Sequence, residues 1–431
     1  MKPSIVPLDL PLSAADSTAA QLIARLARTL LVRQLRKLRH GRLRLIDGPL
    51  DQSFGEAGAT APFEATVRVR DARFYGEVLF AGTLGAGESY TAGRWECDDL
   101  TALVRLMVAN RTLLEHVDSG WSRLRAPLFK LGHWLNDNDR AGSRRNIAAH
   151  YDLGNRFFEL FLDETMAYSC AIFPTPQTPL REASIAKFDA ALSKLALTPS
   201  QHLLEIGTGW GGLALHAARH YGCRVTTTTI SREQFDLTRE RIARAGLSHR
   251  ITLLLEDYRD LKGRYDALVS IEMVEAVGHR YLDTYLAKCS DLLDSSGVML
   301  LQSITIRDQL YEYALRSVDF IKRCIFPGSF IPSVQALVDA LARVTDLKLF
   351  HLEDIGPHYA RTLRLWRERL LARAAEVRSQ GYPERLLRLW EFYLSYCEGG
   401  FEERQLGDVQ MLLVKPRSRR ASLATIHAAP A

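Results

Sequence analysis

A chain of 431 residues, 47% apolar and 25% charged, has the composition of an ordinary globular protein and the length for two domains. Its formal net charge of +6 is modest, and its six cysteines are scattered with no Cys-x-x-Cys, which argues for reduced thiols and against a metal site. No stretch approaches the roughly 18 uninterrupted apolar residues of a membrane span. Asp9, Asp16 and several prolines stand where a signal peptide would need an apolar run. The expectation is therefore a cytoplasmic protein that meets a membrane, if at all, peripherally and from its inner face.

Taken in order, residues 1–16 are expected to be disordered, and residues 17–135 to form an N-terminal α+β domain. It begins with a helix in which Leu22, Leu26, Leu30 and Leu31 recur at helical spacing. Arg25, Arg28, Arg33, Arg36, Lys37 and Arg39 accompany them, and no acid falls between Ser17 and Ile46. Such a basic amphipathic helix suits an anionic membrane surface, the plain alternative being a solvated helix face. Nucleic acid is not expected, because no aromatic residues interleave the basic ones. Val67–Arg70 and Phe74–Phe80 alternate like strands, while Ala102–Leu114 and Trp121–Trp134 read as helices. Residues 136–145 form a polar linker.

From 146 to 415 strands and helices alternate. Strands are expected at 201–207, 223–230, 250–256, 264–272 and 297–305, with helices at 182–196, 211–221, 231–245 and 280–293. That order implies an α/β domain with a mostly parallel sheet covered on both faces. Aromatic-rich 308–345 and helical 358–399 follow, and Val409–Val414 closes the sheet. Residues 416–431, basic and then Ser/Ala-rich, are expected to be disordered.

The stretch Gln201–Gly212 organises this second domain. Leu203, Leu204 and Ile206 form a short buried strand, then Glu205-x-Gly207-x-Gly209-x-Gly211 turns into a helix. Glycines there bring backbone N–H groups against a ligand with no side chain in the way. A carboxylate at Glu205, inside the strand end, needs a polar partner such as an amine. The spacing is not the Gly-x-Gly-x-x-Gly of dinucleotide sites, and the next strand ends in Thr229-Ile230-Ser231 rather than in a ribose-gripping acid. The pattern resembles motif I of the S-adenosylmethionine (SAM) methyltransferases; a nicotinamide enzyme is the weaker reading.

Longer motifs extend the resemblance. Gly82-Thr83-Leu84-Gly85-Ala86-Gly87-Glu88-Ser89-Tyr90, His150-Tyr151-Asp152-Leu153-Gly154-Asn155, Tyr168-Ser169-Cys170, Glu205 to Gly212, Ile230 to Gln234, Asp257 to Asp260 and Ile325-Phe326-Pro327-Gly328 resemble, in order, the bacterial cyclopropane-fatty-acyl-phospholipid synthases. The resemblance runs from about Gly82 to Val414. It implies a seven-stranded Rossmann-like SAM-methyltransferase sheet behind a small lipid-associated domain. It also implies methyl transfer to the cis double bond of a phospholipid acyl chain, through a carbocation and a bound bicarbonate base. By the same resemblance, Cys170 would offer its backbone to the bicarbonate, Glu275 its side chain, Ile271 its carbonyl and Tyr359 its hydroxyl. SAM would be held by Tyr168, Ser169, Glu205, Gly207, Gly209, Trp210, Gly211, Thr229, Ser231, Gln234, Tyr258 and Arg259.

The chain departs from the common pattern in two places. It reads Glu275-Ala276-Val277-Gly278 where Glu-His-Val-Gly is frequent, and Gln302 where many members carry histidine. Glutamine can donate a hydrogen bond but cannot take a proton. A family subgroup shares both features, which leaves the cation's fate open between ring closure and a methylene- or methyl-branched product. A small-molecule N-methyltransferase is the further alternative, and a homodimer is left open.

Overall fold

The computed structural model describes residues 18–56, 58, 62–111, 142 and 153–422. The expected Trp121–Trp134 helix, nearly all of the 136–145 linker, the motif residues His150 to Asp152, the 1–16 terminus and residues 423–431 of the tail lie outside them. The chain forms two compact units: Met1–Asn136 with Arg316–Pro327 and Leu363–Gln405, and Asp137–Leu315 with Gly328–Thr362 and Leu406–Ala431. The span 146–415 is thus divided between the two units rather than continuous.

In the first unit, β1 (Gly41–Asp47), β2 (Leu50–Glu56), β3 (Glu64–Val69) and β4 (Trp95–Cys97) form a sheet of order β2-β1-β3-β4. Leu43, Leu45, Ala65 and Val67 turn inward, each two residues from the next on its strand, as the pleat requires. The expected strand Phe74–Phe80 is instead part of the helix Arg73–Thr91, whose backbone breaks at Gly82 (φ 55°). Phe74, Tyr75 and Leu79 are its buried residues there, a helical spacing that overrides the alternation. Helix Leu100–Ala109 is capped by Asp99, whose side chain accepts from the Ala102 N–H. The helix Glu384–Glu402 joins this unit because its partners are here. Thr101 donates to Glu398 at 3.0 Å, and Tyr90 to Glu391 at 2.8 Å.

The second unit carries a seven-stranded sheet of order β10-β11-β9-β8-β5-β6-β7. Its strands are β5 (His202–Ile206), β6 (Arg224–Thr228), β7 (Ile251–Leu254), β8 (Tyr265–Ile271), β9 (Leu293–Ile306), β10 (Lys348–Asp354) and β11 (Leu406–Val414). β9-β8-β5-β6-β7 run parallel, and β11 and β10 add antiparallel to one edge. Successive residues face opposite layers: Leu204 and Leu268 pack in one core cluster, Leu203, Ala267 and Val269 in the other. From β5 the chain moves outward to β6 and β7, then returns to lay β8 on the other side of β5. That reversal places the crevice favoured by ligands between the carboxyl ends of β5 and β8.

Candidate active site

The glycine loop leaves β5 at that crevice. Gly207 (φ +97°), Gly209 (φ +52°) and Gly211 (φ +82°) all occupy the left-handed region that glycine permits. A Cβ at Gly209 would meet nothing within 4 Å, so the loop is open on that side, whereas one at Gly207 would meet the Met273 side chain at 3.1 Å. The loop therefore lies against the segment that follows β8. Thr208 Oγ1 and the Tyr258 hydroxyl are buried without a hydrogen-bond partner among the described residues. An open glycine cradle beside two orphaned polar groups fits a polar ligand such as SAM.

Of the other residues expected around SAM, Thr229, Ser231 and Gln234 follow the carboxyl end of β6, and Tyr258 and Arg259 that of β7. Thr229 Oγ1 donates to Gln234 Oε1 at 2.8 Å and accepts from the Ser231 N–H at 3.1 Å, while Ser231 caps the helix Arg232–Arg244. Arg259 is fixed by Asp257 through two contacts of 2.8 Å, its guanidinium 5.3 Å from the Tyr258 ring centre. Trp210 donates to Asn155 at 2.7 Å. The Tyr168 ring packs 5.5 Å from Phe158, and Ser169 Oγ accepts from the buried Lys187 ammonium at 2.9 Å. Glu205 finds a hydroxyl rather than an amine: Thr227 Oγ1, beside it across β5 and β6, donates at 2.5 Å. Burial raises the Glu205 carboxyl to about 8.

Across the crevice stands a residue the sequence reading did not single out. Glu272 follows Ile271 at the end of β8, with φ +48°. Its Oε1 accepts from the Cys170 N–H at 2.8 Å and from Gln302 Nε2 at 2.8 Å, and its Oε2 accepts from the Tyr359 hydroxyl at 2.6 Å. Cys170 and Tyr359, two of the groups expected to serve an ion, thus converge on this carboxylate together with Gln302. The Cys170 thiol is fully buried and pushed well above its ordinary value by that burial, so its backbone is the group in use. Ile271 is paired with Gln302 in the β8–β9 register.

Glu275 stands apart from that cluster. Its Oε1 accepts from Ser303 Oγ at 3.0 Å and from the Ile304 N–H at 2.6 Å, while its Oε2 has no partner among the described residues. Burial and then the Glu272 charge raise it to about 8.

Gln302 is engaged at both ends of its amide. Nε2 also donates to Asp408 Oδ2 at 3.0 Å, and Oε1 accepts from Gln410 Nε2 at 3.0 Å. Gln410 in turn accepts from Lys194 Nζ at 2.5 Å. Burial, then the charge of Glu272, pushes Asp408 well above the ordinary carboxylate range. Burial also raises Glu272, but Tyr359, the Cys170 N–H and Lys187 oppose the rise. Asp408 is therefore pushed up against the Gln302 amide, whereas three donors at its oxygens and the Lys187 charge favour the charged form of Glu272. A strand-end acid three residues before Glu275 was the available signal for Glu272. For Lys187, Asp408 and Gln410 the sequence offered none, since only the sheet order brings them together.

A seven-stranded sheet of this order, with a glycine-cradled crevice at its switch point, defines the molecule as a SAM-dependent methyltransferase. Residues 138–411 match the family model of mycolic acid cyclopropane synthetase, and the chain belongs to that family. Tuberculostearic acid methyltransferase UfaA1 of Mycobacterium tuberculosis is 40% identical over 341 residues, 78% of this chain and 79% of that protein. The cyclopropane-fatty-acyl-phospholipid synthase of Escherichia coli is 36% identical over 348 residues, 79% of this chain and 86% of that one. Among solved structures, the mycolic acid cyclopropane synthase CmaA1 complexed with SAH and CTAB superposes with a TM-score of 0.60 at 32% identity, covering 63% of this chain and 98% of that one.

Proposed function

We propose that the chain transfers the methyl group of SAM to the cis double bond of an unsaturated acyl chain in a membrane phospholipid. The observation that carries this reading is the Glu272 carboxyl group held by a backbone N–H, an amide and a phenol beside the glycine cradle. SAM bound at the cradle supplies an electrophilic methyl. An alkene is a weak nucleophile, so the protein's part is to hold it close and keep water from the cation that forms. Tyr168 and Tyr258, both expected around SAM, offer aromatic faces of the kind that can stabilise positive charge. A cyclopropane follows from ring closure, and a methylene-branched chain from a hydride shift followed by proton loss; reduction of that methylene by a separate hydride donor would give the methyl branch. The name of the 40% identical relative, a methyltransferase rather than a cyclopropane synthase, supports the second product. The bicarbonate implied by the family resemblance does not fit as a separate ion, because Cys170, Gln302 and Tyr359 already bind Glu272.

The lipid partner is supported by the helix Thr18–Leu35. Leu22 (58%), Ile23 (51%), Leu26 (58%) and Leu30 (38%) lie exposed on it among arginines, the composition of a segment that rests on an anionic bilayer. No described helix is long and apolar enough to cross a membrane. The test is incubation of the purified chain with methyl-labelled SAM and vesicles of anionic phospholipid bearing cis-unsaturated chains. Label in the acyl chains is expected. Label confined to added small amines, with none in the lipid, would favour a soluble N-methyltransferase instead.

A further inference from the structure

We infer that Glu272 is the built-in base of this enzyme, standing where a bound anion would otherwise be needed. The inference rests on the acyl-chain reading above and names the group that completes its chemistry. A separate bicarbonate requires a cluster of donors with no other acceptor. Here the Cys170 N–H, Gln302 Nε2 and the Tyr359 hydroxyl all point at the two oxygens of one side-chain carboxylate, at 2.8, 2.8 and 2.6 Å. Those contacts are the set a planar, singly charged oxyanion accepts.

The fold holds Glu272 in place for this. Its N–H donates to the Gln302 carbonyl at 2.9 Å, and its left-handed backbone turns the side chain back over the carboxyl ends of β8 and β9. A glutamate in that conformation costs about 1 kcal/mol, which the three donors offset. The residue remains partly exposed at the crevice while its neighbours Ser270, Gln302 and Asp408 are fully buried, so a reactant in the crevice can reach it. Gln302 cannot exchange a proton and is locked by Asp408 and Gln410, so it positions the carboxylate without competing for the proton.

The step balances without a further reactant. When the alkene's electron pair has bonded the incoming methyl, a carbocation remains on the chain. Glu272 takes a proton from the added methyl carbon. The C–H electron pair closes the third ring bond, or, after a hydride shift, forms the exomethylene π bond. The carboxylate becomes a neutral acid and returns its proton to water after product leaves.

The full-length chain is tested on cis-unsaturated phospholipid vesicles with labelled SAM, in CO2-free buffer with and without added bicarbonate. Wild type should turn over at the same rate in both. Glu272→Gln should lose turnover by about a hundred-fold or more, the order of a general base. Glu272→Ala should lose it similarly, recover with bicarbonate or formate, and bind 13C-bicarbonate detectably by NMR where wild type does not. Unchanged SAM affinity in both variants shows that they fold. Turnover by wild type only when bicarbonate is added, or a fully active Glu272→Gln, would overturn the assignment and leave the acyl-chain reading standing. No label in lipid under either condition would overturn both.

Discussion

Three carboxyls, Glu272, Glu275 and Asp408, crowd the carboxyl ends of β8 and β9 and the amino end of β11, and the charge they carry is a matter of residue-scale balance. Glu205 and Glu275, both raised to about 8 chiefly by burial, are protonated in the folded protein at neutral pH. A carboxyl whose folded value lies above its unfolded one stabilises fully below the unfolded value, and the contribution is lost as pH rises through the folded one. Stability should therefore fall as pH rises from about 5 to 8, by at most about 1.4 kcal/mol per pH unit for each group. Glu275→Gln, which mimics the protonated form, should flatten that dependence in thermal melts recorded across this range. An unchanged slope would show that Glu275 ionises freely. Resemblance made Cys170, Gln302 and Tyr359 legible in the sequence. Glu272 was not legible, because an acid after a strand reads as an ordinary turn until Cys170, Gln302 and Tyr359, respectively 102, 30 and 87 positions away, are seen to converge on it. Glu205 was read correctly as needing a partner, but a threonine two strand positions from any motif gave no sign that it would serve.

At the scale of elements, the helix Arg73–Thr91 depends on close approach. A Cβ at Gly87 would sit 2.3 Å from the Phe320 ring and 2.8 Å from that of Phe392. Gly87→Ala should destabilise the first unit by about 1 to 3 kcal/mol, the usual cost of overpacking, visible as an earlier urea midpoint. An unchanged midpoint would mean that the rings yield freely. The helix Thr18–Leu35 makes the opposite case, since Leu22 and Leu26 are more than half exposed and their loss opens no cavity. Leu22→Ser with Leu26→Ser should leave the melting temperature unchanged yet weaken co-sedimentation with anionic vesicles by about ten-fold or more, each buried leucine contributing roughly 2 kcal/mol. Equal co-sedimentation would remove this face from the membrane account. The same elements show why pattern alone reached only part of the fold. The Phe74–Phe80 stretch satisfies both a strand's alternation and a helix's spacing, and the helix prevails because it buries Phe74, Tyr75 and Leu79 together. β10 escaped notice because it is an edge strand, mostly half-buried, with none of the inward alternation that marked β1.

For the whole molecule, the mostly parallel sheet was legible because helices and strands alternate so regularly between 180 and 306, whereas the order β9-β8-β5-β6-β7 was not. The division of 146–415 between two units was not, since it depends on which helices find a partner for their apolar faces. On the proposed mechanism, the methyl of SAM ends on the acyl chain after losing a proton to the protein. Mass spectrometry of fatty acid methyl esters from cells expressing the chain and fed methyl-labelled methionine tests it most directly. The account predicts labelled acyl chains heavier by one methylene unit, without a double bond if the ring closes and with one if an exomethylene forms. Acyl chains free of label, in cells that hold the folded protein, would contradict it.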